Sequence, residues 1–511
     1  MTISTSNAQT AAPPRADAPP AGEALAPPAA PPAAPRAAVA EVPHTVWSRF
    51  IILLLCLAVV TTALAFGTVH AWSLGIFQLS AAAVVALWML DAWRTGTLRV
   101  SRNLLQLPLA GLIVLGALQL LPLGGAAADP SLPAGAARTL TFDPHATRYA
   151  LVQLLSLFVY FAAALAFVDS PRRLKVVVRT VVVFGFLLAL YGLMQHFVNP
   201  ATIFFVREPK QAAPFGPYIN RHHFAGYMEL TLALPLGLIL AGAVARERVL
   251  LYAFASVIMA IALVMTNSRG GMLSLLAEVF FLALVAASVR RRGKEEAAGD
   301  EPRQRGGRMR ALAARLGLAF VMVLVVFGGV LYFGGEEAVS RLLGTVNAED
   351  PTTGRAHFWQ GTWQMIKDRP VAGAGLGAFS AVYPLYDTSN GTYRLEQAHN
   401  DYLQLLSDAG LVGGLLGLVF VVALFRMAVA RMHSPDKFRR GVALGALAGC
   451  AGVLVHSFFD FTLHTTANAL LFLLLAALAT MNGRVEEAEV PRRRRHRRRA
   501  EAQHERGRIA A

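Results

Sequence analysis

The sequence predicts an all-α membrane protein with many spanning helices. Of its 511 residues, 55% are hydrophobic and only 15% are charged, whereas soluble domains carry roughly 25% charged residues. Apolar runs of about 20 residues recur from Phe50 to Met481, and each can cross a hydrocarbon core of about 30 Å. Length, composition and periodic apolar runs therefore indicate a polytopic fold.

The apolar runs predict about twelve transmembrane helices. They lie at residues 50–69, 73–93, 104–123, 149–168, 176–196, 223–244, 249–266, 271–289, 316–334, 411–431, 441–459 and 466–482. Lysine and arginine cluster in every second loop, and the positive-inside rule assigns those loops to the cytoplasm together with both termini. The outer face then holds residues 124–148, 197–222, 267–270, 335–410 and 460–465.

The chain divides into five predicted regions. Residues 1–42 are rich in alanine and proline, and we expect a disordered cytoplasmic tail. A membrane domain with spans one to nine covers 43–334, a large outer segment covers 335–410, and spans ten to twelve cover 411–482. A basic cytoplasmic tail follows at 483–511. The formal net charge of +16 is concentrated beside apolar runs, so topology explains it better than a nucleic-acid partner does.

The stretch QAHNDYLQLLSDAG closes the large outer segment. As a helix it would place His399 on an apolar stripe with Tyr402, and Asn400 and Asp408 on the opposite side. This predicts that His399 faces the protein body or a cavity above the membrane. A lone histidine there is more often a core residue with one hydrogen bond. The functional alternative is a general base, because a pKa of about 6.5 suits proton transfer near neutral pH.

Basic side chains recur in the predicted outer segments. They are Arg207, Lys210, Arg221, His222, His223, Arg269, Arg355, His456 and His464, with the carboxylate Asp460 among them. Each alone is more often an interfacial anchor or a solvated charge. Together they predict a cavity that binds phosphoryl oxygens, which guanidinium groups match well. A metal site would need clustered carboxylates or helically spaced histidines, so we predict a site without metal or cofactor.

The motifs resemble those of the bacterial O-antigen ligase and O-antigen polymerase superfamily. The resemblance covers roughly residues 50–482 and is strongest between Arg355 and Gly413. The matching residues are Arg355 and Trp359; Pro370, Gly373, Gly375 and Gly377; His399 and Asn400; and Gly410 and Gly413. Weaker support comes from LQLLPL, TFDPHATR, FGPYINRHHFAGY, TNSRGG and FFDFTLH. The two tails depart from the family pattern.

The resemblance implies glycan transfer on the periplasmic face of the inner membrane. The donor would be a glycan on undecaprenyl pyrophosphate, and the acceptor hydroxyl would belong to lipid A–core or to a second lipid-linked glycan. His399 would be the base. Arg269, Arg355 and Arg221 would bind the pyrophosphate. Asn400, Trp359, Gly410, Gly413 and Asp460 would support the site.

Several alternatives stay open from the sequence. A ligase is favoured over a polymerase by the match from His399 to Gly413 and by the position of the long outer segment, and transfer to protein hydroxyls is a third option. An anion transporter would need inverted repeats and polar groups at membrane depth; Glu229 and Glu278 are the main charged candidates there. A scaffold without chemistry would not need arginines at the outer edge.

Overall fold

The computed structural model describes residues 44–123, 139–210, 212–295, 355–387 and 395–481; for residues 286–295 only the backbone is described. These residues form helices joined by turns and short loops, with two isolated β-bridges. The predicted all-α membrane architecture is confirmed. Both tails, the ninth predicted span at 316–334 and the first part of the large outer segment lie outside the described residues.

Thirteen α-helices run through the described ranges. They are α1 (Val46–Leu64), α2 (Ala71–Thr95), α3 (Gln106–Gln119), α4 (Pro144–Phe167), α5 (Pro171–Val198), α6 (Arg221–Leu240), α7 (Arg246–Met265), α8 (Arg269–Glu295), α9 (Arg355–Asp368), α10 (Phe379–Val382), α11 (Asp401–Arg431), α12 (Lys437–His456) and α13 (Thr466–Thr480).

Eight of the described helices are long and apolar enough to cross a membrane: α1, α2, α4, α5, α6, α7, α11 and α12. Helices α3 and α13 are apolar but shorter. Large apolar side chains such as Leu79, Trp93 and Leu250 are exposed on the bundle, which is the pattern of a surface solvated by lipid. The chain is therefore a multi-pass membrane protein, and the count of twelve spans stays a prediction.

The predicted boundaries are shifted at several helices. The span predicted at 104–123 is a helix only over Gln106–Gln119, and the helix at 271–289 begins two residues earlier at Arg269. The largest difference is α11, which begins at Asp401 and not at residue 411. The predicted boundary at residue 410 therefore falls inside this helix, at a kink where Gly410 has φ 62° and ψ −163°.

Helices α6 and α12 form the centre of the bundle. An ideal Cβ on Gly237 would lie 2.4 Å from the backbone nitrogen of Gly445, and one on Gly445 would lie 2.5 Å from the carbonyl oxygen of Ala233. Only glycine allows backbones to approach this closely, which strengthens helix packing in a membrane. Helix α13 lies against this pair and is buried along its whole length.

The helices run up and down, so that the bundle has two polar ends. At one end Asp91, Arg99, Asp169 and Arg173 pair with one another, and Arg439 binds the last carbonyls of α13; we call this the basic end. At the opposite helix termini lie His222, Arg269, Arg355, His399 and Asp460, and we call this the site end. The outer segments predicted from the sequence thus meet at one end of the bundle.

Candidate functional site

His399 does not lie on a helix. Helix α11 begins two residues later, with Asn400 as its N-cap, and His399 has a φ of 52°. The predicted helical stripe through His399 is therefore wrong. The Asn400 side chain caps the start of α11 by accepting hydrogen bonds from the N–H groups of Tyr402 and Leu403, so the helix does not extend back to His399. A left-handed backbone at a non-glycine residue is uncommon, and here it orients the imidazole toward Asp460.

The buried carboxylate of Asp460 is the centre of the site. It is 1% exposed. His399 Nδ1 lies 3.4 Å from its Oδ1, Arg355 Nη2 lies 3.4 Å from its Oδ2, and His222 Nδ1 lies 3.9 Å from the same Oδ2. The N–H of Phe461 donates to Oδ1 at 2.9 Å. Three cationic or protonatable groups from three separate segments therefore face one carboxylate.

The surroundings of Asp460 determine its charge. Burial opposes ionisation, but the contact with His399 and the nearby His222, Arg355 and His223 outweigh it and hold the pKa of Asp460 well below its usual range. Asp460 is therefore ionised at neutral pH. It can hold His399 with a proton on Nδ1 and stabilise positive charge on that imidazole.

The turn between α12 and α13 fixes the start of α11. Asp401 receives hydrogen bonds from Ser457 Oγ at 2.7 Å and from His464 Nδ1 at 2.8 Å. Its N–H donates to the Ser457 carbonyl at 2.9 Å, and Asn400 Nδ2 donates to the Phe458 carbonyl at 3.1 Å. Burial lowers the pKa of His464, but the hydrogen bond to Asp401 and the charge of Asp401 outweigh this effect, so the pKa of His464 is raised overall.

Aromatic side chains contact the imidazole rings of His399 and His223. The ring of Phe461 lies edge-on to both His399 and His223, with centroid distances of 4.8 Å in each case. Phe358 also stacks on His399, with a centroid distance of 6.3 Å. Trp359 Nε1 donates to the Ala398 carbonyl at 3.2 Å, which ties α9 to the segment before His399.

The glycine-rich segment 370–377 fills the kink of α11. The N–H of Leu411 donates to the Pro370 carbonyl at 2.7 Å, and the N–H of Ala374 donates to the Ser407 carbonyl at 2.8 Å. A Cβ on Gly410 would lie 2.3 Å from the Val371 carbonyl oxygen, so no other residue fits. The glycines thus allow the large outer segment to pack against α11.

Gly413 and Gln119 of the LQLLPL motif have structural roles that the sequence alone did not reveal. A Cβ on Gly413 would lie 2.2 Å from the Cβ of Ala409 across the kink. Gln119 of LQLLPL donates to the carbonyls of Ala372 and Asp408 at 2.7 and 2.9 Å, and is 1% exposed. An isolated buried glutamine in an apolar motif is the signal that could have predicted this anchor.

Arg269 and Arg221 are the two other arginines predicted to bind pyrophosphate, and each is the first residue of a helix at the site end. Arg269 is the first residue of α8, after a turn at 266–268, and its neighbour Gly270 packs on His456 and Phe459. Arg269 Nη1 is buried without a hydrogen-bond partner among the described residues. Arg221 is the first residue of α6, and its charge acts on His222.

Arg355 is more constrained than Arg269. In addition to facing Asp460, its Nη1 donates to the carbonyl of Phe459. Its guanidinium is therefore already held by the turn after α12. Across the ranges that the structure describes, no group of three or more His, Cys, Asp or Glu side chains has the arrangement of a metal site.

Comparison with known proteins agrees with the motifs. Residues 254–418 match the family model described as O-antigen ligase, a range that includes Arg269, Arg355, His399 and Gly410. The chain is also similar to the exopolysaccharide production protein ExoQ of Rhizobium meliloti (strain 1021), with 27% identity over 181 residues. That alignment covers 33% of this chain and 39% of the relative, so the chain spans well under half of that protein's length.

The two findings complement the geometry. The family model ends inside α11, whereas Asp460 and His222 lie outside the matched range and are joined to it by the fold. The predicted resemblance to the superfamily of O-antigen ligases and polymerases is confirmed over residues 254–418.

Proposed function

We propose that the protein is a glycosyltransferase that moves a glycan from undecaprenyl pyrophosphate to an acceptor hydroxyl on lipid A–core. The observation that carries this proposal is the cluster of Arg355, His399 and His222 around the buried carboxylate of Asp460, with Arg269 beside it. Such a site combines a protonatable base with guanidinium groups that match a pyrophosphate. It requires no metal or cofactor for either task.

In this mechanism His399 is the general base. Asp460 holds a proton on His399 Nδ1, which leaves the lone pair on Nε2 to accept the proton of the acceptor hydroxyl. The acceptor oxygen then attacks the anomeric carbon while the bond to the pyrophosphate oxygen breaks. A direct attack of this kind inverts the anomeric centre. The ionised Asp460 stabilises the imidazolium that forms.

The arginines receive the leaving group. Arg269 Nη1 has no hydrogen-bond partner among the described residues and can donate to a phosphoryl oxygen. Arg355 is held by Asp460 and Phe459, so its contribution is a fixed positive charge at a constant place. Arg221 adds a third guanidinium from the start of α6. Trp359 and Asn400 keep the segment around His399 in position.

A second candidate is a polymerase that uses another lipid-linked glycan as its acceptor. The similarity to a protein named for exopolysaccharide production favours this candidate. The donor chemistry is the same in both cases, and only the source of the hydroxyl differs. An anion transporter would also need an arginine-rich site, but it would not need a base positioned by a carboxylate.

The proposal includes a location. The site end faces the periplasm, and the basic end and both termini face the cytoplasm of a cell inner membrane. This follows from the positive-inside rule, because Arg94, Arg99, Arg172, Arg173 and Lys175 lie in the loops and adjoining helix ends of the basic end. The partners are the two lipid-linked substrates and the surrounding lipids.

The test uses purified protein in lipid nanodiscs without any ion gradient. Undecaprenyl-pyrophosphate-linked glycan is mixed with lipid A–core or with a second portion of lipid-linked glycan. Product on lipid A–core supports the ligase, and lengthening of the lipid-linked glycan supports the polymerase. If neither product forms although the donor binds, and liposomes show gradient-driven uptake, the protein is a carrier.

A deletion strain gives an independent answer. Loss of long chains from lipid A–core with accumulation of lipid-linked polymer indicates a ligase. Single repeat units without polymer indicate a polymerase.

A further inference from the structure

A line of buried polar side chains runs inward from His222. His222 Nδ1 lies 2.9 Å from Ser268 Oγ, Ser268 Oγ lies 3.5 Å from His456 Nε2, and His456 Nδ1 lies 2.8 Å from Glu229 Oε1. Ser268, His456 and Glu229 are 0% exposed, whereas the His222 side chain is 25% exposed. The line therefore begins at the open site and ends inside the helix bundle.

The inner end of this line needs charge compensation. Glu229 Oε2, both carboxylate oxygens of Glu278 and the hydroxyl of Ser274 are buried without hydrogen-bond partners among the described residues. A Cβ on Gly452 would lie 3.1 Å from Ser274 Oγ and 3.5 Å from Glu278 Oε2, so these groups share one region of the interior. Uncompensated charge is strongly unfavourable there. A proton on a carboxylate removes that cost.

Hydrogen-bond geometry permits two arrangements of the line. Ser268 Oγ already accepts the N–H of Gly271 at 3.2 Å, so its hydroxyl donates to one imidazole and accepts from the other. In the first arrangement, an ionised Glu229 accepts from His456 Nδ1, Ser268 donates to His456 Nε2, and His222 Nδ1 donates to Ser268. His222 Nε2 then carries a free lone pair.

In the second arrangement every hydrogen bond is reversed. Glu229 is a neutral acid that donates to His456 Nδ1, His456 Nε2 donates to Ser268, and Ser268 donates to His222 Nδ1. The proton of His222 is then on Nε2. The second arrangement holds one proton more than the first, and neither arrangement contains an imidazolium.

We propose that His222, Ser268, His456 and Glu229 form a proton-accepting chain that serves the transfer site, an inference that rests on the proposed function. The acceptor O–H bond breaks, its oxygen bonds to the anomeric carbon, and pyrophosphate leaves. The proton goes to His399 and through water to His222 Nε2, since both side chains are about a quarter exposed. His222, Ser268 and His456 each pass one proton inward, and Glu229 becomes neutral. Reversal of the same steps releases one proton to solvent.

The charges around the chain favour this route. Asp460, Arg355 and Arg221 act on His222, and Asp460 and Asp401 act on His456 from the turn and from α11. The charge of Glu229 also acts on the carboxyl group of Glu278 on α8. A proton kept at the site would place an imidazolium among the arginines, whereas a proton on Glu229 removes a negative charge from beside another carboxyl group.

The first experiment needs no substrate. Full-length protein with ¹⁵N-labelled histidine is placed in nanodiscs and titrated with acid. NMR reports which nitrogen of His222 carries the proton, and infrared spectroscopy reports the C=O stretch of a neutral carboxylic acid. The His222→Asn and Glu229→Gln variants assign the two signals. We expect both signals to change at the same pH in the unaltered chain.

Ser268→Ala removes the central hydroxyl, together with the acceptor of the Gly271 N–H, so the two signals should then change at different pH values. Ser274→Ala is the matched control, because it removes another buried hydroxyl of the same region that lies outside the chain. Coupled signals in Ser268→Ala, or uncoupled signals in the unaltered protein, overturn the proposal.

The second experiment measures transfer. Ser268→Ala should lower kcat about tenfold, which is less than the roughly 10²–10⁴-fold that a general acid or base itself contributes, with KM unchanged, while Ser274→Ala should leave kcat as in the unaltered protein. If Ser268→Ala uncouples the two signals but leaves kcat unchanged, the chain does not serve transfer, and the proposed function still stands. Coupled signals in a protein that transfers no glycan refute the proposed function and leave the chain as a proton-binding element.

Discussion

The two ends of the bundle use arginine in opposite ways. At the basic end, Arg99 is paired with Asp91 and Asp169 at 2.9 Å each, and Arg439 donates to the carbonyls of Leu478, Ala479 and Met481. At the site end, the carboxylate of Asp460 faces an arginine and two histidines, and Arg269 Nη1 has no partner in the part of the chain that the structure describes.

This contrast separates structural from functional positive charge. Guanidinium groups that donate to several carbonyls or carboxylates close helix ends and connect loops, and they leave less capacity for a ligand. An excess of cationic groups over carboxylates, fixed by the fold, attracts an anion. Arginines that topology rules assign to the cytoplasm can therefore also be structural parts of the membrane domain.

The largest expected effect is at the site end. His399→Ala should reduce glycan transfer by about a hundredfold or more, because it removes the general base, while the protein still inserts and accumulates. His433→Ala is the matched control, since it removes an exposed histidine from the basic end. Surface glycan and protein level are measured together. Normal glycan at normal protein level would show that His399 is not the base.

The basic end should respond in stability and not in chemistry. Arg439→Met leaves three carbonyls of the last turn of α13 without their donor, which should lower the free energy of unfolding by about 2–3 kcal/mol. Transfer per folded molecule should stay unchanged. Thermal unfolding in nanodiscs, with Arg246→Met as an exposed control, checks the first part. A large loss of turnover by correctly folded molecules would contradict the division between the two ends.

A smaller effect is expected when only the shape of the cation changes. Arg269→Lys keeps the charge but loses the planar fork, so transfer should fall about tenfold. Arg246→Lys, at the start of α7 and exposed, provides the comparison. Full activity of Arg269→Lys would assign this arginine a structural role like those at the basic end.

The smallest effect concerns pH. The pKa of His464 is raised above its ordinary value of 6.5 by Asp401, so the pair stabilises the fold fully below pH 6.5. The contribution is lost as pH rises through the higher pKa of the folded protein. His464→Gln should therefore lower Tm at pH 6, and the difference from the unaltered protein should shrink as the pH is raised. A difference that grows with pH contradicts the assignment.

The sequence predicted the membrane fold because apolar length is a strong signal, and it predicted the outer cluster because short loops restrict where Arg269 and Asp460 can lie. It failed at His399, where periodicity suggested a helix. The capping side chain of Asn400 competes with that pattern, and a single position decides the outcome.

Other parts of the site could not be predicted from local pattern. The contact of Asp401 with His464 joins positions 63 residues apart, and the line from His222 to Glu229 joins α6, the turn before α8 and α12. Such pairs depend on how helices pack, which periodicity does not specify. Gln119 and the loop glycines also have roles that appear only when the segment 370–377 is placed against the kink.

The kink at Gly410 makes the number of residues between His399 and Gly410 a structural requirement of the site. Helix α11 is fixed at its first residue by the turn after α12 and again at Gly410 by the segment 370–377, and about nine residues of helix between these points span ~14 Å. One inserted or deleted residue in that interval would rotate one fixed point relative to the other by about 100°. The side chains between them can vary in chemistry, but their number cannot change without moving His399 away from Asp460. The distance between His399 and Gly410 along the chain is therefore a mechanical constant of the site.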